Sequence, residues 1–226
     1  MSQKRKYPGF FIVVEGIDGC GSTTHSKLLA KTMRAAGREV LHTCEPTAGP
    51  IGALIRQVLQ HRLFVPDVSG PRTFAWSTMA LLFAADRLDH LDSHIVPALR
   101  DGCVVISDRY DLSSVAYQSA TAPSGTEVVP WIRELNSCAL RPDLTVVINV
   151  PLEVAEERRR GRGGKEEVFE SRSIQERLVS LYERAEDLLP GDNFAHVSGI
   201  GEQPEVAARI LSAIREAIPA LELPQG

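Results

Sequence analysis

Apolar positions along the chain fall into two alternating patterns. Short β-branched runs stand at 10–14 (Phe-Phe-Ile-Val-Val), 39–43, 103–107 (Cys-Val-Val-Ile-Ser), 144–149 and 194–197. Between them, longer stretches carry apolar residues at helical spacing, as at Leu28, Leu29 and Met33 within 24–36. The same spacing predicts helices at 51–61, 73–99, 127–140, 151–160, 171–188 and 203–217. Strands alternating with helices imply parallel pairing through crossover connections, and nearly continuous apolarity implies strands buried on both faces. The expected fold is α/β, a three-layer doubly wound sandwich around a five-stranded parallel sheet. Functional residues then belong beyond the C-terminal strand ends, where 16–23, Glu45-Pro46 and Asp108-Arg109 fall.

Composition narrows the picture. At 226 residues with 43% hydrophobic and 24% charged content, one well-buried core is expected. The whole chain, 1–226, reads as a single domain with an N-terminal extension over 1–8. A net charge of −4 argues against a general nucleic-acid or anionic-membrane binder. No segment approaches the roughly 18 consecutive apolar residues of a membrane span, and no apolar core of a signal peptide follows Lys4-Arg5-Lys6. A cytoplasmic protein is expected. Cys20, Cys44, Cys103 and Cys138 are too dispersed for a metal site or a disulfide framework, so most read as small apolar fillers. Cys20, inside a glycine-rich turn, is expected to be open to oxidation or alkylation when no ligand is bound.

That turn carries the first candidate chemistry. Gly16-Ile17-Asp18-Gly19-Cys20-Gly21-Ser22-Thr23 follows a strand and opens a helix, and it fits the phosphate-loop pattern G-x-x-x-x-G-K-[ST] except that Ser22 stands where lysine belongs. The glycines let backbone N–H groups turn toward a phosphate-sized anion, and the helix N-terminus favours negative charge. Thr23 keeps a hydroxyl suited to Mg²⁺; what is absent is a mobile cation for the transferred phosphoryl group. Read as bare structure, the segment is a glycine-rich turn with no ligand.

Other candidates lie downstream. Asp108 ends a strand where a carboxylate can hold Mg²⁺ or its water, and Arg109 beside it offers a fork suited to phosphate; a strand-end ion pair is the plainer account. Phe83 and Arg87, four apart on a helix, can stack on a base and donate to its edge. Core packing for the ring and a surface ion pair with Asp86 or a glutamate fit the same spacing. Tyr117-Gln118, after Ser113 and Ser114, adds a ring and an amide that both donates and accepts.

Taken in order, Glu15-Gly16-Ile17-Asp18-Gly19, Glu45-Pro46-Thr47 with Arg56, Leu82-Phe83-Ala84-Ala85-Asp86-Arg87, Asp108-Arg109-Tyr110, Ala116-Tyr117-Gln118 and Arg141-Pro142-Asp143-Leu144 resemble the thymidylate kinases of the bacterial type over about residues 10 to 215. The resemblance implies a P-loop nucleoside monophosphate kinase fold with a short mobile lid at about 158–168, and transfer of the γ-phosphoryl group of Mg-ATP to dTMP, giving dTDP and ADP. It implies ATP contacts from Gly16, Ile17, Asp18, Gly19, Cys20, Gly21, Ser22, Thr23, Thr24 and Arg158. It implies an acceptor site of Glu45, Pro46, Arg56, Phe83, Arg87, Arg109, Ser114, Tyr117 and Gln118, with Phe83 stacked on thymine, Arg87 on its carbonyl edge, Gln118 near the base and Tyr117 crowding the 2′ position. Arg56 and Arg109 would grip the monophosphate, Asp18 would meet the 3′-hydroxyl or the metal-water network, and Thr23 and Asp108 would hold Mg²⁺. A homodimer is also implied, with no nucleic-acid or membrane partner.

Two positions depart from the family, Ser22 for lysine and Cys44 for a basic residue. Five cations in the eight residues Arg158 to Lys165 offset the first, with Arg160, Arg162 and Lys165 expected to bring charge to the ATP phosphates and Arg160 and Arg162 to act in catalysis. A weak or inactive nucleotide-binding relative, or a kinase for another deoxynucleoside monophosphate, fits the same residues less fully.

Overall fold

The computed structural model describes residues 6–162, 169 and 171–222. The side chain of Arg162, Lys165 and most of the expected lid lie outside the described residues. Five strands, β1 (Phe10–Glu15), β2 (Val40–Cys44), β3 (Val104–Asp108), β4 (Leu144–Asn149) and β5 (Phe194–Ser198), form one sheet in the order β2-β3-β1-β4-β5. Every pairing is parallel.

Burial explains why these runs are strands. β1 and β3 are buried along their whole length, and alternate side chains serve opposite layers. Ile12, Val14 and Ile106 join the larger core, while Phe11, Val13 and Val105 pack with Leu91, Ile95 and Leu99 on the other face. The larger core is closed by α1 (Ser22–Ala35), α2 (Pro50–Leu59), α5 (Asp111–Thr121), α8 (Arg172–Glu183) and α10 (Gln203–Ala217).

The helix expected over 73–99 begins at Trp76. It runs as α3 (Trp76–His90), a π-helical turn at Leu91–Ile95, and α4 (Val96–Arg100). Pro97 cannot donate to the α-helical ladder, and the wider turn just before it, where Val96 N–H returns to the Leu91 carbonyl, absorbs the mismatch. The expectation over 127–140 shrinks to a 3₁₀ turn (Gly125–Val128) and α6 (Val129–Leu135); Asn136 stops it by donating its side-chain amide back to the Ile132 carbonyl. The stretch 171–188 breaks at Arg184 into α8 and α9 (Ala185–Leu188), while α7 occupies Leu152–Arg162. Helix α5 has no counterpart in the sequence reading. Among the described residues, no helix is long and apolar enough to cross a membrane.

Parallel register sets Val14 and Cys44 level with Asp108, so Gly16, Glu45 and Arg109 leave the sheet along one edge. β1 is the strand from which the order reverses, and its C-terminal end opens the crevice that such sheets use for ligands.

Candidate active site

The phosphate loop needs its glycines for packing as well as for turning. A Cβ on Gly16 would sit 2.7 Å from the Ile148 carbonyl oxygen, and one on Gly19 would sit 2.4 Å from the carbonyl oxygen of Ala155 in α7. Gly21, in the left-handed region at φ 99°, caps α1. The loop is thus wedged between β4 and α7. Cys20 does not match its expected reactivity: it is buried, and burial pushes its thiol up to about 11, far from the thiolate form that oxidation requires.

Ser22 is the buried first residue of α1. Two guanidinium groups of α7 reach the loop. Arg158 donates to the carbonyls of Cys20 (3.3 Å) and Gly199 (2.9 Å), and Arg159 donates to the carbonyl of Asp18 (2.7 Å). Arg160 is exposed. Among the described residues of the arginine-rich segment, the cations that touch the loop are therefore Arg158 and Arg159, the latter absent from the sequence-derived site.

Thr23 donates its hydroxyl to Asp108 Oδ2 at 2.5 Å, and Asp108 Oδ1 is buried with no hydrogen-bond partner. A hydroxyl beside a half-satisfied carboxylate is a fragment of a hard-oxygen site that leaves other positions to water and phosphate, which suits Mg²⁺. Among the described residues no cluster of three or more His, Cys, Asp or Glu side chains could hold a metal by itself.

Beyond the loop opens a cavity of about 310 Å³, lined by Asp18, Thr23, Glu45, Pro46, Arg56, Phe83, Arg87, Asp108, Arg109, Ser114, Tyr117 and Gln118. Cys44, Leu59, Tyr110, Ser113 and Phe169 complete the wall. Phe83 is half-buried, with its ring in the lining. Arg87 corrects the surface-pair account: it is fully buried, and its partner is Glu45 Oε2 at 2.7 Å. It also donates to Asn136 Oδ1, the Tyr110 carbonyl (3.1 Å) and Ser114 Oγ (3.0 Å). Glu45 is braced in turn by His90, whose other ring nitrogen meets Thr43 Oγ1 at 2.7 Å. Asp86 serves the backbone instead, accepting from Thr47 N (2.7 Å) and Thr47 Oγ1 (2.6 Å). Arg56 donates to the carbonyls of Pro46 (2.5 Å) and Thr47.

Several polar atoms in this cavity have no partner. Both ends of the Gln118 amide, the Tyr117 hydroxyl and Arg87 Nε are buried and unsatisfied. Leaving such groups bare costs about 1–3 kcal/mol each, so their convergence in one cavity marks a polar ligand.

Arg109 links the cavity to the phosphate loop. It holds the left-handed region at φ 71°, rare for a residue with a Cβ and common at functional sites. Its guanidinium donates to Asp18 Oδ1 (2.7 Å), the Gly16 carbonyl (2.9 Å), Ser113 Oγ (3.1 Å) and Tyr182 Oη (3.1 Å), and lies 5.2 Å from the Tyr117 ring centroid. Beneath it, Glu15 is fully buried and accepts from Tyr110 N, Ser113 N, Ser113 Oγ and Tyr182 Oη. Burial pushes the Glu15 carboxyl up to about 7, with Arg109 opposing.

A sequence model of the thymidylate kinase family matches residues 14–194, which takes in the loop, the cavity and strands β2 to β4. The chain belongs to that family. Relatives named "Probable thymidylate kinase" occur in Thermococcus gammatolerans, at 41% identity over 182 residues (80% of this chain, 85% of the relative), and in Pyrococcus abyssi, at 41% over 175 residues (77% and 81%). Another, from Pyrobaculum aerophilum, is 35% identical over 210 residues, 92% of this chain and 97% of its own. As a thymidylate kinase family member the chain is an enzyme, and its fold is that of the P-loop nucleoside monophosphate kinases. The family motifs do not reach everything in the site. Asn136, Phe169, Gln175 and Tyr182 meet it from positions outside those motifs. His90 alone carried a local signal, one helical turn after Arg87 and two after Phe83.

Proposed function

We propose that this thymidylate kinase family member transfers the γ-phosphoryl group of Mg-ATP to the 5′-phosphate of dTMP, giving dTDP and ADP. The observation that carries the reading is the set of unsatisfied atoms on Gln118 and Arg87 in a cavity that also holds the Phe83 ring and opens onto Arg109 and the phosphate loop. A pyrimidine with one N–H and two carbonyls supplies both the acceptors and the donor that these groups lack. Phe83 would stack on the base, and Tyr117, pinned by burial, would leave no room or partner for a 2′-hydroxyl.

Arg109 would hold the acceptor phosphate, joined by Arg56 once the monophosphate displaces a loop carbonyl from it. Asp18 would orient both Arg109 and the 3′-hydroxyl. The loop amides would cradle the donor phosphates, with Arg158 and Arg159 at its rim taking the place of the loop lysine. Mg²⁺, held by Thr23 and Asp108, would supply charge neutralisation of the ATP phosphates when bound. Since phosphoryl transfer is mainly positioning and electrostatics, a fixed guanidinium pair can serve where a lysine is missing. We also propose one kinase domain over the chain, a cytoplasmic setting, and a homodimer through α3, whose Leu81 and Leu88 are exposed.

Steady-state turnover with Mg-ATP and each of dTMP, dUMP, dCMP and dGMP tests the reading. dTMP should give the highest kcat/KM, with dUMP lower by the worth of one methyl group, about tenfold. No dTDP above background would remove the proposal, and a preference for dCMP or dGMP would reassign the acceptor.

A further inference from the structure

Gln175 lies in the first turn of α8 and has no exposed surface. Its amide is fully committed. Nε2 donates to Asp18 Oδ2 at 3.1 Å and to the Phe169 carbonyl at 2.8 Å, while Oε1 accepts from Arg159 at 3.1 Å. The three partners belong to different parts of the site. Asp18 is in the phosphate loop, and its other carboxylate oxygen holds Arg109 at 2.7 Å. Arg159 comes from α7 and also grips the loop through the Asp18 carbonyl at 2.7 Å. Phe169 forms cavity wall, edge-on to the Tyr117 ring at a centroid distance of 5.2 Å.

We infer that Gln175 is a positioning residue for phosphoryl transfer: one amide sets the Asp18 carboxylate and the Arg159 guanidinium in a common geometry and ties both to the Phe169–Tyr117 wall of the acceptor cavity. The inference rests on the function proposed above. Its chemical requirement is narrow. The site demands two N–H donors on one side, for a carboxylate and a carbonyl, and one acceptor on the other, for a guanidinium. A reversed amide would turn N–H toward Arg159 and oxygen toward Asp18. A carboxylate of the same size would keep Arg159 but set two anions against each other at Asp18. Asn is one methylene too short to span the partners. A glutamine that only filled space would have no reason to spend every polar atom on groups of the reaction centre, since Asp18 and Arg159 are both partly open to water, which could satisfy them instead.

The test compares the full-length protein with its Gln175→Met and Gln175→Glu variants. Met keeps volume and removes the amide; Glu keeps shape and one of the three bonds. Steady-state kinetics in both substrates are read beside thermal melts, which report the folded fraction. The expected result is a kcat per folded molecule lowered about tenfold or more in Gln175→Met and further in Gln175→Glu, because a misplacement on the order of 1 Å costs up to about a hundredfold. The KM for dTMP should rise by a smaller factor than kcat falls, because Phe83, Arg87 and Gln118 are untouched. A purely structural role would shift the melt and leave kcat per folded molecule alone. If Gln175→Met does not fold, Gln175→Glu carries the same test. Normal wild-type turnover with kcat in the variants within about twofold would overturn the inference by itself. A wild-type chain that makes no dTDP would overturn the proposed function and this inference with it.

Discussion

Glu15 offers a prediction whose size follows from its surroundings. The carboxyl has no exposed surface, and burial pushes it up to about 7 from an ordinary 4.5 although Arg109 stands 3.9 Å away and four hydrogen-bond donors face it. The folded protein keeps this proton to about pH 7, while the unfolded chain releases it near 4.5. Over that window the unfolded state binds fewer protons, so stability is fully present below the unfolded value and is lost as pH rises through the folded one. A gap of about 2.5 units at 1.36 kcal/mol each is worth about 3 kcal/mol. Gln at this position keeps the shape. Its oxygen accepts from the Tyr110 and Ser113 amides, and its NH₂ meets the Ser113 and Tyr182 hydroxyls, which can turn to accept. The Glu15→Gln variant should therefore gain about 3 kcal/mol relative to the native protein between about pH 4 and about pH 8, with the change spread across that interval. Urea denaturation of both proteins at several pH values measures it, and effects of other titrating groups cancel in the difference. Curves that stay parallel within about 1 kcal/mol, or a native protein that gains on the variant as pH rises, would refute the reasoning; the second result would mean that Arg109 and the four donors outweigh burial.

Two further outcomes are expected. Gly19→Ala drives a methyl group against the Ala155 carbonyl in a left-handed conformation, and should cost about 2 kcal/mol or more, read as a melting point lowered by several degrees; an unchanged melt would show that the loop is not wedged as described. Ser22→Lys should raise kcat less than about tenfold, because Arg158 and Arg159 already bring two guanidinium groups to the loop, and a larger gain in steady-state assays would mean that the native site is short of a cation.

How far the site could be read in advance depended on where its residues sit. The three inner strands β1, β3 and β4 announced themselves because a run buried on both faces must be apolar and β-branched, and the runs at 10–14 and 144–149 match β1 and β4 to within a residue at either end. Helix α10 was equally plain, its apolar stripe facing the core and its polar side facing water. Helix α5 was invisible for the opposite reason. Ser114, Gln118 and Ser119 are polar yet buried, because this helix lines a polar cavity, and the stripe that marks an ordinary helix is scrambled. Phe83 and Arg87 could be placed on one helical face by spacing alone. Spacing did not say that Arg87 would be fully buried and bound to Glu45, which required β2 to end beside α3.

The amino-acid order by itself determined the layered α/β fold, the phosphate loop and the family, since these depend on local patterns of apolarity and on glycines at short fixed intervals. Tertiary structure alone decided what surrounds the missing lysine. Arg158 and Arg159 meet the loop because α7 packs against Gly19, and Gln175 and Tyr182 meet Asp18 and Arg109 because α8 closes the same corner. Such contacts join residues more than seventy positions apart through burial, and no local pattern encodes a partner that only the packed layers bring within hydrogen-bond reach.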